Sequence, residues 1–461
     1  MPRGIYVLIG AAFIMIAGLF FYLTMGDTSR HLVFATWGTP TEVESFKRLI
    51  DHFNTTRRPV NKVKLSHLES GSYAEQLLVK AAARDFPDVI HIDQKELAFF
   101  EQKGLLENLA PYVERDTSFN LGIFFPRLVE NSAVKGLLYG VPHNFSTLVL
   151  YYNKDHFDAE GLPYPDSTWT WNDLLHAAQL LTKRGTDGTI LRYGCYLDII
   201  VHTLIYQSGG RILNESLDSC VIASPESEEA IQFLVDLSER YHVTWNVLSR
   251  SVNWDDMFAG GRCSMVANGR WAATWYAQSM PRGALDVAPL PRGRFRKGAM
   301  VNHMMAMSAH STKKEDAWEF IEFLASEPAQ RMVNEDGANI PARRSVAESE
   351  DFLRHKKTPN IENRVFIDEL PHSVGWPFNQ GPYLTLHSIQ TQIDLVTKRI
   401  LLGTATTRES LRAMEDEINR VIMLRRATAE PRPFVGSRLF YACVCVLAVP
   451  LLLALKRRTG K

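Results

Sequence analysis

Trp37 and Asp93 each close a short apolar run that reads as a β-strand, and each is followed by a helical pattern. In a parallel sheet that position is the ligand edge, beyond the strand C-termini, and His67 marks it on the strand between them. Trp271 follows the turn-forming Asn268-Gly269-Arg270, and Trp376 sits in an irregular Gly/Pro segment, where rings are presented to ligands more readily than in regular elements. Planar aromatic and polar groups of this kind stack and hydrogen-bond; they do not by themselves make or break bonds. The signatures of covalent catalysis are missing: the sequence has no Gly-x-Ser-x-Gly, no His-Glu-x-x-His and no Walker A loop. A carboxylate pair such as Asp93 and Asp255 is uninformative among 51 acidic residues, and helix-surface and helix-start roles account for Glu75 and Asp255. Of five cysteines, Cys195, Cys220 and Cys263 are far apart and Cys443 and Cys445 lie in a terminal apolar run. With no C-x-x-C pair, neither a disulfide scaffold nor a zinc site is indicated, and no cofactor is called for. A formal net charge of zero and a pI near 7.2 give no electrostatic reason to expect nucleic acid.

The elements that must position these residues alternate in the manner of an α/β fold. His31 to Trp37 reads as a strand, and Pro40 then opens an amphipathic helix with Val43, Phe46, Leu49, Ile50 and Phe53 on one face. Val60 to Leu65 is a second strand, Tyr73 to Arg84 a helix, Asp88 to Ile92 a third strand, and Lys95 to Lys103 a helix stopped by Gly104. Such a βαβαβ run favours a parallel sheet with helices on its faces. At Leu137 the pattern changes: Leu137 to Val141 and Thr147 to Tyr152 flank Pro142, His143, Asn144 and Phe145, as where a chain leaves one lobe for another. Beyond it, Trp171 to Lys183, Ser224 to Tyr241 and Trp271 to Met280 read as helices, and Cys263 to Ala267 and Asp286 to Pro289 as short strands.

Both ends of the chain are apolar. Ile5 to Met25 carries no charge and, as a helix, spans roughly 30 Å, enough for a bilayer core. An uncleaved anchor is the favoured reading, since no small-x-small cleavage site follows; a cleaved signal peptide behind Arg3 is the alternative. No cysteine precedes Cys195, so a lipid anchor on an N-terminal cysteine is excluded. Leu439 to Leu455 forms a second apolar run between Arg438 and the basic cluster Lys456, Arg457, Arg458 and Lys461, which the positive-inside rule keeps in the cytoplasm. Residues 427–438 read as a stiff linker before it. The roughly 400 residues between the runs are too many for one compact core and suit two lobes.

The stretch GLLYGVPHNFSTLVLYYNKDHFDAEGLPYPDSTWTWNDLLHAAQLLTKR, Gly136 to Arg184, resembles the extracellular solute-binding proteins of carbohydrate ABC importers, the class that includes maltose-binding protein. It has that family's Tyr-Gly-x-Pro turn, its strand ending in Tyr-Tyr-Asn-Lys and its Thr-Trp-x-x-Leu helix. Phe86 to Ile92, GLLENLAPYVERD from Gly104, GRCSMVANGRW from Gly261, APLPRG from Ala288, EDAWEFIEFLASEPAQ from Glu315 and NIPARRSV from Asn339 are similar to family segments in order and spacing.

The resemblance implies a two-lobe α/β periplasmic-binding-protein fold of type II, to which the two apolar runs add a transmembrane helix at each end, the second being a departure from the usual family pattern. Hinge crossings near Phe145, Met304 and Ile340 make both lobes discontinuous: residues 31–144 with 305–340, and 145–304 with 341–426. It implies a carbohydrate held between the lobes, with Trp271 as the cleft tryptophan of the Asn-Gly-x-Trp motif and Trp37 and Trp376 as further stacking rings. Sugars offer hydroxyls around a ring edge and C–H on its face, which flat aromatics and planar polar groups match. Asp93, Asn144 on the first crossing, His303 before the second and Arg343 after the third are the polar candidates, a carboxylate or guanidinium bridging two vicinal hydroxyls. The implied partners are a carbohydrate, the ABC permease subunits and the cytoplasmic membrane, with the main domain outside it. A membrane-bound sugar sensor and, less favoured, a glycoside hydrolase are the rivals.

Overall fold

The computed structural model describes residues 31–197, 200–245, 253–375 and 386–429. The two apolar terminal runs and Trp376 lie outside them, and among the described residues no helix is long and apolar enough to cross a membrane.

Strand β1 (His31–Thr36) feeds helix α1 (Pro40–Thr56) through a capping box in which the Thr39 side chain and Glu42 each satisfy the other's backbone N–H. The helix buries Val43, Phe46, Leu49, Ile50 and Phe53, the face expected from the spacing. The second strand, β2, runs Lys62–His67 and not Val60–Leu65: parallel pairing sets His31 opposite Lys62 and Thr36 opposite His67, leaving Val60 89% exposed ahead of the sheet. Helix α2 (Tyr73–Ala82) returns the chain to β3 (Val89–Asp93), which is buried along its whole length beside β1. Asp93 ends β3 and caps α3 (Gln94–Gln102), its carboxylate accepting from Lys95 N–H at 3.1 Å. Gly104 then stops the helix with φ of +67°.

Pro142 to Phe145 do not separate two strands. They form the middle of β4 (Val141–Thr147), which passes through Leu148 directly into β5 (Val149–Asn153). A proline is tolerated there because β4 itself bulges: His303 faces Asn144 and the next residue, Met304, faces Pro142, so His143 is the extra residue between them. The first sheet has seven strands, with β1, β2 and β3 parallel. The remaining strands are β4 and three later segments, Gly298–Met307, Ile340–Pro341 and Ser373–Gly375. The second sheet holds β5 together with Lys183–Arg184, Ile190–Tyr196, Cys263–Asn268 and Leu285–Ala288. Leu148 and Ala299, joined by a 2.9 Å backbone bond, sit in an apolar cluster with Leu150 and Met265 of the second sheet, whereas Val141 and Met305 sit in a larger cluster that takes residues from both sheets, Phe34 and Val89 of the first and Tyr151 and Val266 of the second. The paired strands β4 and Gly298–Met307 thus physically bridge two α/β layers. Two C-terminal helices, Leu386–Leu401 and Thr407–Ala429, pack on Pro225–Glu239; Glu415 and Asn419 accept the Ala223 and Cys220 N–H groups.

Candidate functional site

At the end of β1 the Trp37 ring stacks on His91 of β3, with centroids 4.4 Å apart and planes 16° from parallel. Tyr73 lies against it at 4.6 Å and His303 meets it edge-on at 5.4 Å. Period-two alternation on β3 puts His91 and Asp93 on one face, and antiparallel pairing sets His303 opposite Asp93. From β4, His143 reaches to 5.8 Å of the His91 ring, and Asn144 Oδ1 accepts from His303 Nδ1 at 2.9 Å. Glu42, fixed by the α1 cap, accepts from Asn339 Nδ2 at 3.1 Å and closes the wall together with Asp336. The recess these groups line is about 30 Å³, room for water but not for a sugar ring as it stands.

Its electrostatics keep the histidines neutral. Burial, reinforced by His303, holds His143 down to about 3. Burial and the two neighbouring imidazoles hold His91 well below its ordinary range. His303 is likewise lowered by burial, with Asp93, whose Oδ2 lies 3.8 Å from Nε2, opposing that shift. Asp93 is also paired with Lys95 Nζ at 3.0 Å. His91 donates or accepts at Nδ1 with Thr36 Oγ1, while its buried Nε2 has no partner and lines the recess. Among the described residues no cluster of His, Cys, Asp or Glu is placed to hold a metal ion.

Trp271 stands on the second sheet. Strand Cys263–Asn268 ends in a turn where Asn268 Oδ1 accepts from Gly269 N–H at 2.8 Å. The indole then lies flat over Gly269, so close that a Cβ there would sit 2.1 Å from a ring atom. Only glycine permits this approach. The ring remains 37% exposed. Arg270, by contrast, is fully buried and ties the turn inward: its N–H donates to Ser146 Oγ of β4 at 2.7 Å, and its guanidinium donates to the Gly337 carbonyl at 2.6 Å and Thr358 Oγ1 at 3.1 Å. Gly337 adjoins Asp336 and Asn339 of the recess wall, so one side chain couples the Trp271 turn to the Trp37 recess.

Of the residues singled out in the sequence, Trp37, Asp93, Asn144 and His303 come together; Trp271 faces outward from the other sheet. Arg343 stands apart, donating to the Ala325 carbonyl at 3.3 Å and lying 3.8 Å from Glu327, so its guanidinium is engaged in helix packing. Trp376 lies outside the described residues. His91, His143, Glu42 and Asn339 were not foreseen. Alternation two residues before Asp93 carries the signal for His91; nothing local points to Asn339, which arrives from a distant segment.

Two α/β layers bridged by long antiparallel strands, with polar and aromatic groups gathered where strands end at the bridge, define a two-lobe binding protein. Residues 37–331, more than half of the chain, match the bacterial extracellular solute-binding protein family, and the chain belongs to it. It is 28% identical over 281 residues to a mannitol-binding protein of Pseudomonas aeruginosa, covering 58% of this chain and 63% of that one. To a galactooligosaccharide-binding protein of Bacillus subtilis it is 21% identical over 361 residues, covering 76% and 80%. An ABC substrate-binding protein of Listeria monocytogenes in complex with cycloalternan superimposes with a TM-score of 0.75 at 23% identity, covering 85% of this chain and 98% of that one.

Proposed function

We propose that the protein is an extracytoplasmic carbohydrate receptor, tethered to the membrane by its apolar ends, that hands its ligand to an ABC permease without altering it. The observation that carries this reading is the buried Arg270, which follows the second-sheet strand, adjoins the exposed Trp271 and donates to Gly337, the residue between Asp336 and Ala338 of the Trp37 recess wall. A ligand can close a hinge only if it contacts both lobes, and Trp271 and the recess offer such contacts. Relatives whose names declare a polyol or an oligosaccharide support the ligand class. Lobes of residues 31–144 with 305–340, and 145–304 with 341–426, fit this division of contacts. Trp37, Asp93, Asn144, His303 and Trp271 are the proposed contacts, with Trp376 an additional ring. Arg343 would join them only by releasing Ala325. The 30 Å³ recess admits a hydroxyl or hydroxymethyl group at its mouth while the ring stacks outside it. Two apolar termini of spanning length, the second with a basic flank, support tethering with both ends in the cytoplasm. Calorimetric titration of the full-length chain with hexoses, polyols and oligosaccharides tests the reading: at least one binds reversibly. Failure of the whole panel, or hydrolysis of a bound sugar, overturns it.

A further inference from the structure

A second cavity, of about 340 Å³ and sharing no lining residue with the Trp37 recess, lies along α3. One wall is the α3 face carrying Gln94, Leu97, Ala98 and Glu101, spaced as one stripe of a helix. The facing walls are Lys135, after β-residues Ala133–Val134, and the turn bearing Leu217, which packs on the core of the second sheet. The cavity is therefore lined from both lobes. Its volume is some tenfold that of the Trp37 recess and falls in the range of small-molecule sites, which start at about 300 Å³.

Gln94 gives the cavity its chemistry. It is only 5% exposed, yet neither its Oε1 nor its Nε2 has a hydrogen-bond partner. A buried carboxamide with both ends unpaired is costly and calls for a partner, and Gln94 is one of the residues that line the cavity. One acceptor and a two-proton donor side by side match a pair of vicinal hydroxyls. Leu97, Ala98 and Leu217 supply an apolar patch for C–H groups, and both carboxylates of the lining are already paired, Glu101 with Lys135 Nζ at 3.3 Å and Glu130 with Arg127 at 3.1 Å.

We propose that this cavity is a second carbohydrate position, taking one neutral sugar ring or polyol, either as the outer unit of a longer ligand or as a molecule of its own. The inference rests on the carbohydrate reading above. Occupation gives the ligand a contact on the Leu217 turn as well as on α3, adding to the bias towards closure. The test titrates the full-length chain and its Gln94→Leu and Ala98→Leu variants with the same panel of hexoses, polyols and oligosaccharides. Both variants lower affinity for at least one bound ligand about tenfold. Gln94→Leu does so while the unliganded melting temperature holds or rises, because an unpaired amide has been replaced by an apolar group. That opposition is what a merely structural glutamine would not produce. Loss confined to oligosaccharides at one site per chain identifies an outer unit, and loss of one of two sites identifies a separate molecule. If sugars bind the native chain and both variants retain every affinity, the cavity holds water alone and the second position is overturned while the receptor reading stands. If no sugar binds the native chain, both fall.

Discussion

Trp271 is held by its own turn, not by a core, so its removal should separate binding from folding. A receptor of micromolar affinity distributes about 8 kcal/mol of binding free energy, and loss of an aromatic anchor costs on the order of 2 kcal/mol, or roughly thirtyfold. Trp271→Ala is expected to weaken sugar binding by that factor with a small change in melting temperature. Titration and melting of one preparation check it; unchanged affinity beside a large fall in melting temperature would assign the ring to packing. The histidines set a second expectation. His143 ionises at about 3 in the folded chain against about 6.5 when unfolded. The unfolded state therefore takes the proton first, so stability present above pH of about 6.5 is lost progressively as pH falls towards about 3. Urea unfolding across that window reads the slope, and His143→Gln should flatten it. An unchanged slope would locate the acid sensitivity elsewhere.

Among the elements, α1 and the Asn268–Trp271 turn do the positioning. Thr39→Ala removes the cap that holds both the first turn of α1 and Glu42, and should cost about 1 kcal/mol of stability. Since Glu42 carries Asn339, sugar affinity is expected to fall along with the unfolding midpoint. Gly269→Ala forces the Trp271 ring off its seat and should lower affinity as much as Trp271→Ala does; native affinity in that variant would show that the ring's seat is immaterial. The βαβαβ start of the chain, the α1 apolar face and the Asn-Gly-x-Trp turn were legible because local periodicity and turn chemistry determine them. Strand β2 was misplaced by two residues because its limits come from pairing with β1, a partner outside any local window. Pro142 read as a break because the bulge that accommodates it, with His143 as the extra residue, exists only against residues 303 and 304 of a distant partner strand. The recess was half visible: Trp37 and Asp93 announce themselves at strand ends, whereas His143 and Asn339 acquire meaning only when β4 and the segment after α-residue Asp336 are brought beside β3. Arg270 shows the opposite limit: nothing in the turn sequence marks it as a core residue, and the structure buries it completely.

At the scale of the whole molecule, the two sheets are joined through the β4 and Gly298–Met307 pair. A C-terminal apolar run with a basic flank predicts that a reporter active only in the cytoplasm, fused after Lys461, gives signal, and an external reporter gives none. The reverse pattern would contradict the two-ended tether. The central claim, that a carbohydrate is held between the lobes, is tested most directly by a distance across them. Val60 on the first lobe and Leu402 on the second are 89% and 58% exposed, while Cys195, Cys220 and Cys263 are buried. With Cys443 and Cys445 replaced by serine, spin labels at Val60→Cys and Leu402→Cys report the separation selectively. Saturating the full-length chain with the sugar that binds in titration should shift the measured distance distribution to a single, narrower population, and chromatography should recover the sugar intact. A distribution indifferent to saturating sugar, or a sugar recovered cleaved, would contradict the account.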